Sequence, residues 1–149
     1  MRHLAFSLFV LSTITTSSVW AEDLTAIRVD KDSIAQPLTS QPGNPKNGAA
    51  AMADRKLGNC LACHKVAQMK SEPFHGDVGP ALDGVAGRWK EGQLRLIVVN
   101  PKVLFEDTAM PAFYRTAGMH RVRGEFQEKP MLTAQQVEDV VAYLTTLRD

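Results

Sequence analysis

Cys60-Leu61-Ala62-Cys63-His64 is the one run in this chain whose residue types and spacing spell out a reaction. Two cysteines three positions apart can form thioethers to the two vinyl groups of one haem. The adjacent histidine then lies under the iron and can become its axial ligand. The chain has two cysteines, both in this run, so a multi-disulfide scaffold is excluded. A structural zinc site normally takes four ligands, and no second Cys/His pair is present. A thioredoxin-like dithiol expects a βαβ setting, and no strand pattern surrounds this one. Chance would produce the five-residue pattern about four times in ten thousand. The run predicts one covalently attached haem c, bound through Cys60 and Cys63 with His64 as a ligand of the iron.

The second axial ligand has to come from elsewhere. Met110, in Thr108-Ala109-Met110-Pro111, stands 46 residues after His64, far enough for the chain to cross to the other haem face. Pro111 keeps Met110 out of a continuing helix and stiffens the loop that offers its sulfur. His75 and His120 are further candidates, and Met69, Met119 and Met131 lack the Met-Pro context but stay open. Met52 lies on an expected helix face and reads as core filler. His/Met ligation favours the reduced iron and raises the potential. No catalytic base or nucleophile is marked by its setting, and haem attachment consumes both thiols.

Helices must hold these residues. One is expected to start at Asn44-Pro45, with Asn as cap and Pro at the first helical position, and to run through Ala49, Met52, Ala53 and Leu57 to Gly58. A short helix is expected over Gly92 to Asn100, with Leu94, Ile97 and Val98 on one face, stopped by Pro101. Residues 65–79 and 101–130 read as irregular. The clearest helix begins at Thr133, where Thr133 and Gln136 make a capping box and Leu132 and Val137 a hydrophobic staple. Val137, Val140, Val141, Leu144 and Leu147 form its apolar stripe. So few helices make a weak core by themselves, and a haem would fill the middle.

The chain has 149 residues and a net charge of +1, which gives no basis for nucleic acid as a partner. Residues 1–21 have the order of a cleaved secretory signal: basic Arg2, an apolar run from Leu4 to Ile14, and Val19-Trp20-Ala21 as a cleavage site. A membrane anchor needs about 20 apolar residues, which neither this run nor any later one supplies. The expected mature product is exported, periplasmic and without a membrane span. Residues 22–43 read as an N-terminal arm, mobile by default or wrapped on a partner. Residues 44–149 form the remaining domain.

Gly58-Asn59-Cys60-Leu61-Ala62-Cys63-His64, Gly79-Pro80-Ala81-Leu82-Asp83-Gly84-Val85-Ala86-Gly87-Arg88, Met110-Pro111 and a final helix with Tyr143-Leu144 together resemble class I cytochrome c. The resemblance implies an all-α fold around one covalent haem, His64 and Met110 as iron ligands, and a Pro80 carbonyl that orients the His64 ring. It also implies that the helix around Gly48 crosses the helix around Tyr143. Arg88 is a candidate for a haem propionate, or a solvated surface residue.

Narrower stretches resemble the monohaem subunits of the SoxAX cytochromes of thiosulfate-oxidising bacteria. These are Gln41-Pro42-Gly43-Asn44-Pro45, Pro73 to Pro80, Gln93 to Lys102, and Met110-Pro111-Ala112-Phe113-Tyr114. This resemblance implies a heterodimer with a SoxA-type haem subunit, where thiosulfate is joined to a carrier-protein cysteine. The chain would accept the released electrons and pass them to a small periplasmic cytochrome c. It would be the electron-transfer subunit of a thiosulfotransferase, with no catalytic residue of its own. The alternative from the residues alone is a freestanding diffusible electron carrier.

Overall fold

The computed structural model describes residues 27–148; the expected leader, residues 1–21, lies outside them. Four helices carry the fold: α1 (Pro45–Ala53), α2 (Val85–Arg88), α3 (Glu91–Val99) and α4 (Ala134–Leu144). Single 3-10 turns interrupt the loops between them. No strand occurs among the described residues, only an isolated bridge between Asp30 and Ser33.

Local sequence explains the helix ends. The Asn44 side chain accepts from the Lys46 and Asn47 amides, and Pro45 takes the first helical position. Thr133 and Gln136 form the reciprocal capping box at α4. Leu132 and Val137 lie in the same buried core, as the staple requires. α1 ends at Ala53, short of Gly58, because Asp54 turns to an extended conformation. Gly58 has a different task. Its amide returns to the Ala51 carbonyl, and a Cβ there would fall 2.9 Å from that oxygen and 3.1 Å from Cys60 Sγ.

α1 crosses α4 at Gly48, as the family resemblance implies. A Cβ at Gly48 would strike the Asp139 carbonyl, so only glycine lets the two backbones come this close. Met52, Leu94, Leu96, Leu132, Val137, Val140, Val141 and Leu147 are among the most deeply buried apolar side chains of the core. α3 departs from the expected single face. Leu94, Leu96, Val98 and Val99 are all buried, Ile97 is half-buried, and Arg95 is buried as well. The reason is that α3 packs on α4 and also receives the arm, whose Ile34 amide donates to the Gly92 carbonyl.

The described part of the arm, residues 27–43, lies on its own domain. Ile34 is buried, its amide donates to the Gly92 carbonyl, and its carbonyl accepts from Arg95 Nη1 at 2.8 Å. Glu138 receives the other side of Arg95, through Nε at 2.8 Å and Nη2 at 2.9 Å, and also accepts from the Leu38 amide. Glu91 closes the cluster on Nη2. Burial alone would pull the Arg95 pKa down; the hydrogen bonds and charges of Glu138 and Glu91 outweigh it and hold the guanidinium above its usual value.

Candidate functional site

The haem-attachment run forms a 3-10 turn over Cys60–Ala62, entered through Asn59 in the left-handed region at φ 47°. Asn tolerates that conformation better than most residues. The Cys60 carbonyl accepts from both the Cys63 and His64 amides, which fixes the turn. Cys63 is exposed and Cys60 half-buried. Burial is the main force that pushes the Cys60 thiol up to about 12, with Cys63 adding to it against a backbone hydrogen bond. A buried thiol held this far up forms little thiolate near neutral pH, so Cys60 is not the nucleophile of the pair. No cluster of three His, Cys, Asp or Glu residues able to hold a metal occurs among the described residues.

His64 is held from behind. Its Nδ1 donates to the Pro80 carbonyl at 2.7 Å, which leaves Nε2 as the nitrogen able to bind iron. Gly79 lies flat against the ring; any Cβ at that position would overlap the imidazole. The Gly79 amide also donates to the Cys63 carbonyl. The segment that carries Pro80 is pinned in turn. Leu82 donates to the Lys65 carbonyl, and the Asp83 carboxylate accepts from the Ala67 amide. Arg88 reaches back to the Asp83 and Ala81 carbonyls at 2.7 and 2.8 Å. Arg88 therefore works on the backbone behind Pro80, a use that sequence did not reveal.

The other candidates separate by burial. Met52 and Met69 belong to the buried core. His75 has both ring nitrogens engaged with backbone, so neither is available to iron. Met119 and His120 lie exposed in the loop after residue 114. Met131 and Met110 are half-buried at the edge of the core. The Met110 loop is anchored at both ends: Phe113 and Tyr114 donate to the Val98 and Val99 carbonyls of α3, and Lys102 Nζ donates to the Thr108 carbonyl. The Met110 amide itself donates to Thr108 Oγ1.

These surroundings fit a large, mostly apolar group with a polar edge. Leu57, Cys60, Leu82, Trp89, Leu104 and Met110 sit half-buried against the core. At the start of the Met110 loop, Asn100 Oδ1 is the one buried side-chain polar atom without a partner among the described residues. Such orphans in native folds call for a bound group or water. The thiol pair, a histidine with one free nitrogen and this apolar rim together suit a covalent haem.

The cytochrome c family model matches residues 45–148. The chain belongs to the cytochrome c family. It carries one covalent haem c, with Cys60 and Cys63 as its single cysteine pair, and an electron-transfer role. A chain in the crystal structure of SoxXA from P. pantotrophus is 42 % identical, with a TM-score of 0.79 over 85 % of this chain and 97 % of that one. This match agrees with the narrower sequence resemblance. No curated protein sequence matches significantly. No helix among the described residues is long and apolar enough to cross a membrane.

Proposed function

We propose that this chain is the SoxX-type electron-transfer subunit of an exported heterodimer with a SoxA-type haem subunit. The observation that carries the reading is the 42 % identity to a chain of SoxXA across nearly all of that chain. In the reaction, a carrier-protein cysteine thiolate and thiosulfate form an S–S bond on the partner's side and release two electrons. A haem bound here would supply one-electron redox chemistry, in which case the two electrons would leave one after the other towards a small periplasmic cytochrome c.

The chain's own residues then have these parts. Cys60 and Cys63 hold the group covalently. His64 would present Nε2 to the iron while the Pro80 carbonyl holds Nδ1. Met110 would offer its sulfur from a loop whose far end is tied to α3 through Phe113 and Tyr114. Hydrogen bonding at Nδ1 makes the imidazole a stronger donor, whereas the thioether favours the reduced iron.

Phe74 and Val78 flank the segment against His64 and are 67 % and 75 % exposed. Phe74 also lines a cleft of about 420 Å³ beside the haem turn, with Arg55, Asn59, Leu61 and Glu72. On this reading Phe74, an aromatic beside the haem turn, and Val78 supply apolar contact to the partner subunit. The test is thiosulfate-dependent reduction of an acceptor cytochrome in the presence of carrier protein. Each subunit is assayed alone and then mixed. Activity only on mixing is the expected result. Full activity from this chain alone overturns the two-subunit reading. No gain on mixing with an intact partner favours a freestanding carrier.

A further inference from the structure

His75 sits between two backbone groups that can each bond in only one way. The Val66 amide donates to its Nδ1 at 3.2 Å, and the Met69 carbonyl meets its Nε2 at 3.1 Å. An amide cannot accept and a carbonyl cannot donate, so Nδ1 is bare and Nε2 carries the proton. Val66 is fully buried, which makes an unpaired amide there costly. The next residue extends the contact: the Gly76 amide donates to the Leu61 carbonyl at 2.8 Å, and a Cβ at Gly76 would strike the Ala62 carbonyl. His75-Gly76 thus grips the haem turn and the strip that follows it. That same strip, Lys65 to Ala67, is bonded to Leu82 and Asp83 just beyond Pro80.

We propose that His75 is a positioning residue: its neutral, Nε2-protonated imidazole clips residues 66–69 in place and so fixes the Pro80 carbonyl against His64 Nδ1. It acts through Val66 and the 80–83 segment and never touches the iron. Without the clip, the Lys65–Ala67 strip and the Pro80 segment shift together and the 2.7 Å bond to His64 loosens. A weaker bond makes His64 a poorer donor and moves the haem potential upward. An amide side chain, with one acceptor and one donor, can replace both bonds; a leucine can replace neither.

The proposal rests on His64 as iron ligand, and the experiment separates the two. Long-range nitrogen–proton NMR on the reduced holoprotein reads the His75 tautomer in the unaltered chain. Amide exchange reads Val66 protection in His75→Leu and His75→Gln. The redox titration follows in the same samples. Expected are a protonated Nε2, about tenfold faster Val66 exchange in His75→Leu, an upward potential shift, and recovery of both in His75→Gln. A protonated Nδ1 in the unaltered protein overturns the clip, even if His75→Leu does not fold. So does an unchanged Val66 amide in a folded His75→Leu. Faster Val66 exchange with no shift in potential overturns the positioning role. Failure of the ligand reading shows itself separately, as a haem spectrum that His64→Ala leaves unaltered.

Discussion

The two faces of this molecule are finished to different degrees. On the face formed by the arm, α3 and α4, polar groups are closed within the chain. Arg95 meets Glu138, Glu91 and the Ile34 carbonyl; Asp139 accepts from the Asn44 amide and Gln135; Thr39 donates to Gln135. On the haem side, the Cys60 and Cys63 thiols and His64 Nε2 are left for a ligand; at the start of the Met110 loop, Asn100 Oδ1 is orphaned. One face is complete as protein. The other is complete only with a cofactor, and on the proposed reading with a second chain. Changes on the closed face should cost folding stability and leave redox behaviour alone; changes on the open face should do the reverse.

The largest effect is expected at the attachment residues. Cys63→Ala or Cys60→Ala should remove one thioether, and the double variant should give no haem-staining band at the mature mass on a denaturing gel. A band that stays fully coloured would break the open-face account. Met110→Ala should abolish the methionine-dependent weak red absorption and strongly shifted methyl proton resonance, and let added imidazole bind the iron. If Met131→Ala does so and Met110→Ala does not, the Met110 assignment fails.

The closed face should answer in the other currency. Glu138→Ala leaves Arg95 buried with Glu91 as its only charged partner and strands the Leu38 amide. Breaking a buried pair from one side costs about 3–5 kcal/mol. Denaturant unfolding should show that loss while the haem potential of the folded fraction stays put. Deleting residues 22–36 removes Ile34 and should destabilise in the same direction, ahead of any effect on partner binding. A normal midpoint for either variant would contradict the reading of the arm as part of the domain.

Sequence revealed the two kinds of face unequally, for a physical reason. Covalent haem chemistry needs fixed residue types at fixed spacing, so Cys60, Cys63 and His64 stand out in one line of text. The capping box at Thr133 and the α1 start at Asn44 are equally local. The arm is different. Its docking depends on Ile34 and Leu38 meeting Arg95 and Glu138 from sixty to a hundred positions away. No periodicity marks that, and a buried Arg and Glu on helices read as solvated charges. His75 was legible as a histidine but not as a clip, because both its bonds go to backbone. The α1 end was misplaced at Gly58 because glycine serves close approach as well as helix stops.

A mid-sized effect should appear at Gly79. Gly79→Ala forces a methyl group into the His64 ring. The imidazole must tilt or the Pro80 segment must retreat, and either lengthens the Nδ1 bond. The potential should rise, with a smaller loss of stability than Glu138→Ala brings. An unchanged potential would show that the segment yields without disturbing the ligand.

The smallest effect compares one exposed side chain on each face. Val78 is 75 % exposed beside the His64 segment, and Val29 is 41 % exposed on the arm. Both are valine, and neither supports the core, so a change to serine should leave folding and potential nearly untouched. Only Val78 lies on the face proposed to meet the partner. Burying a valine side chain contributes about 1.5 kcal/mol, close to a tenfold change in dissociation constant. Val78→Ser should therefore weaken association with the SoxA-type subunit by about that factor, and Phe74→Ser by at least as much. Val29→Ser should leave it unchanged. The measurement is calorimetric titration of each variant with the haem-loaded partner. Equal weakening by Val29→Ser and Val78→Ser would mean that the partner grips both faces. Weakening by Val29→Ser alone would put the interface on the arm and reverse the assignment of open and closed faces.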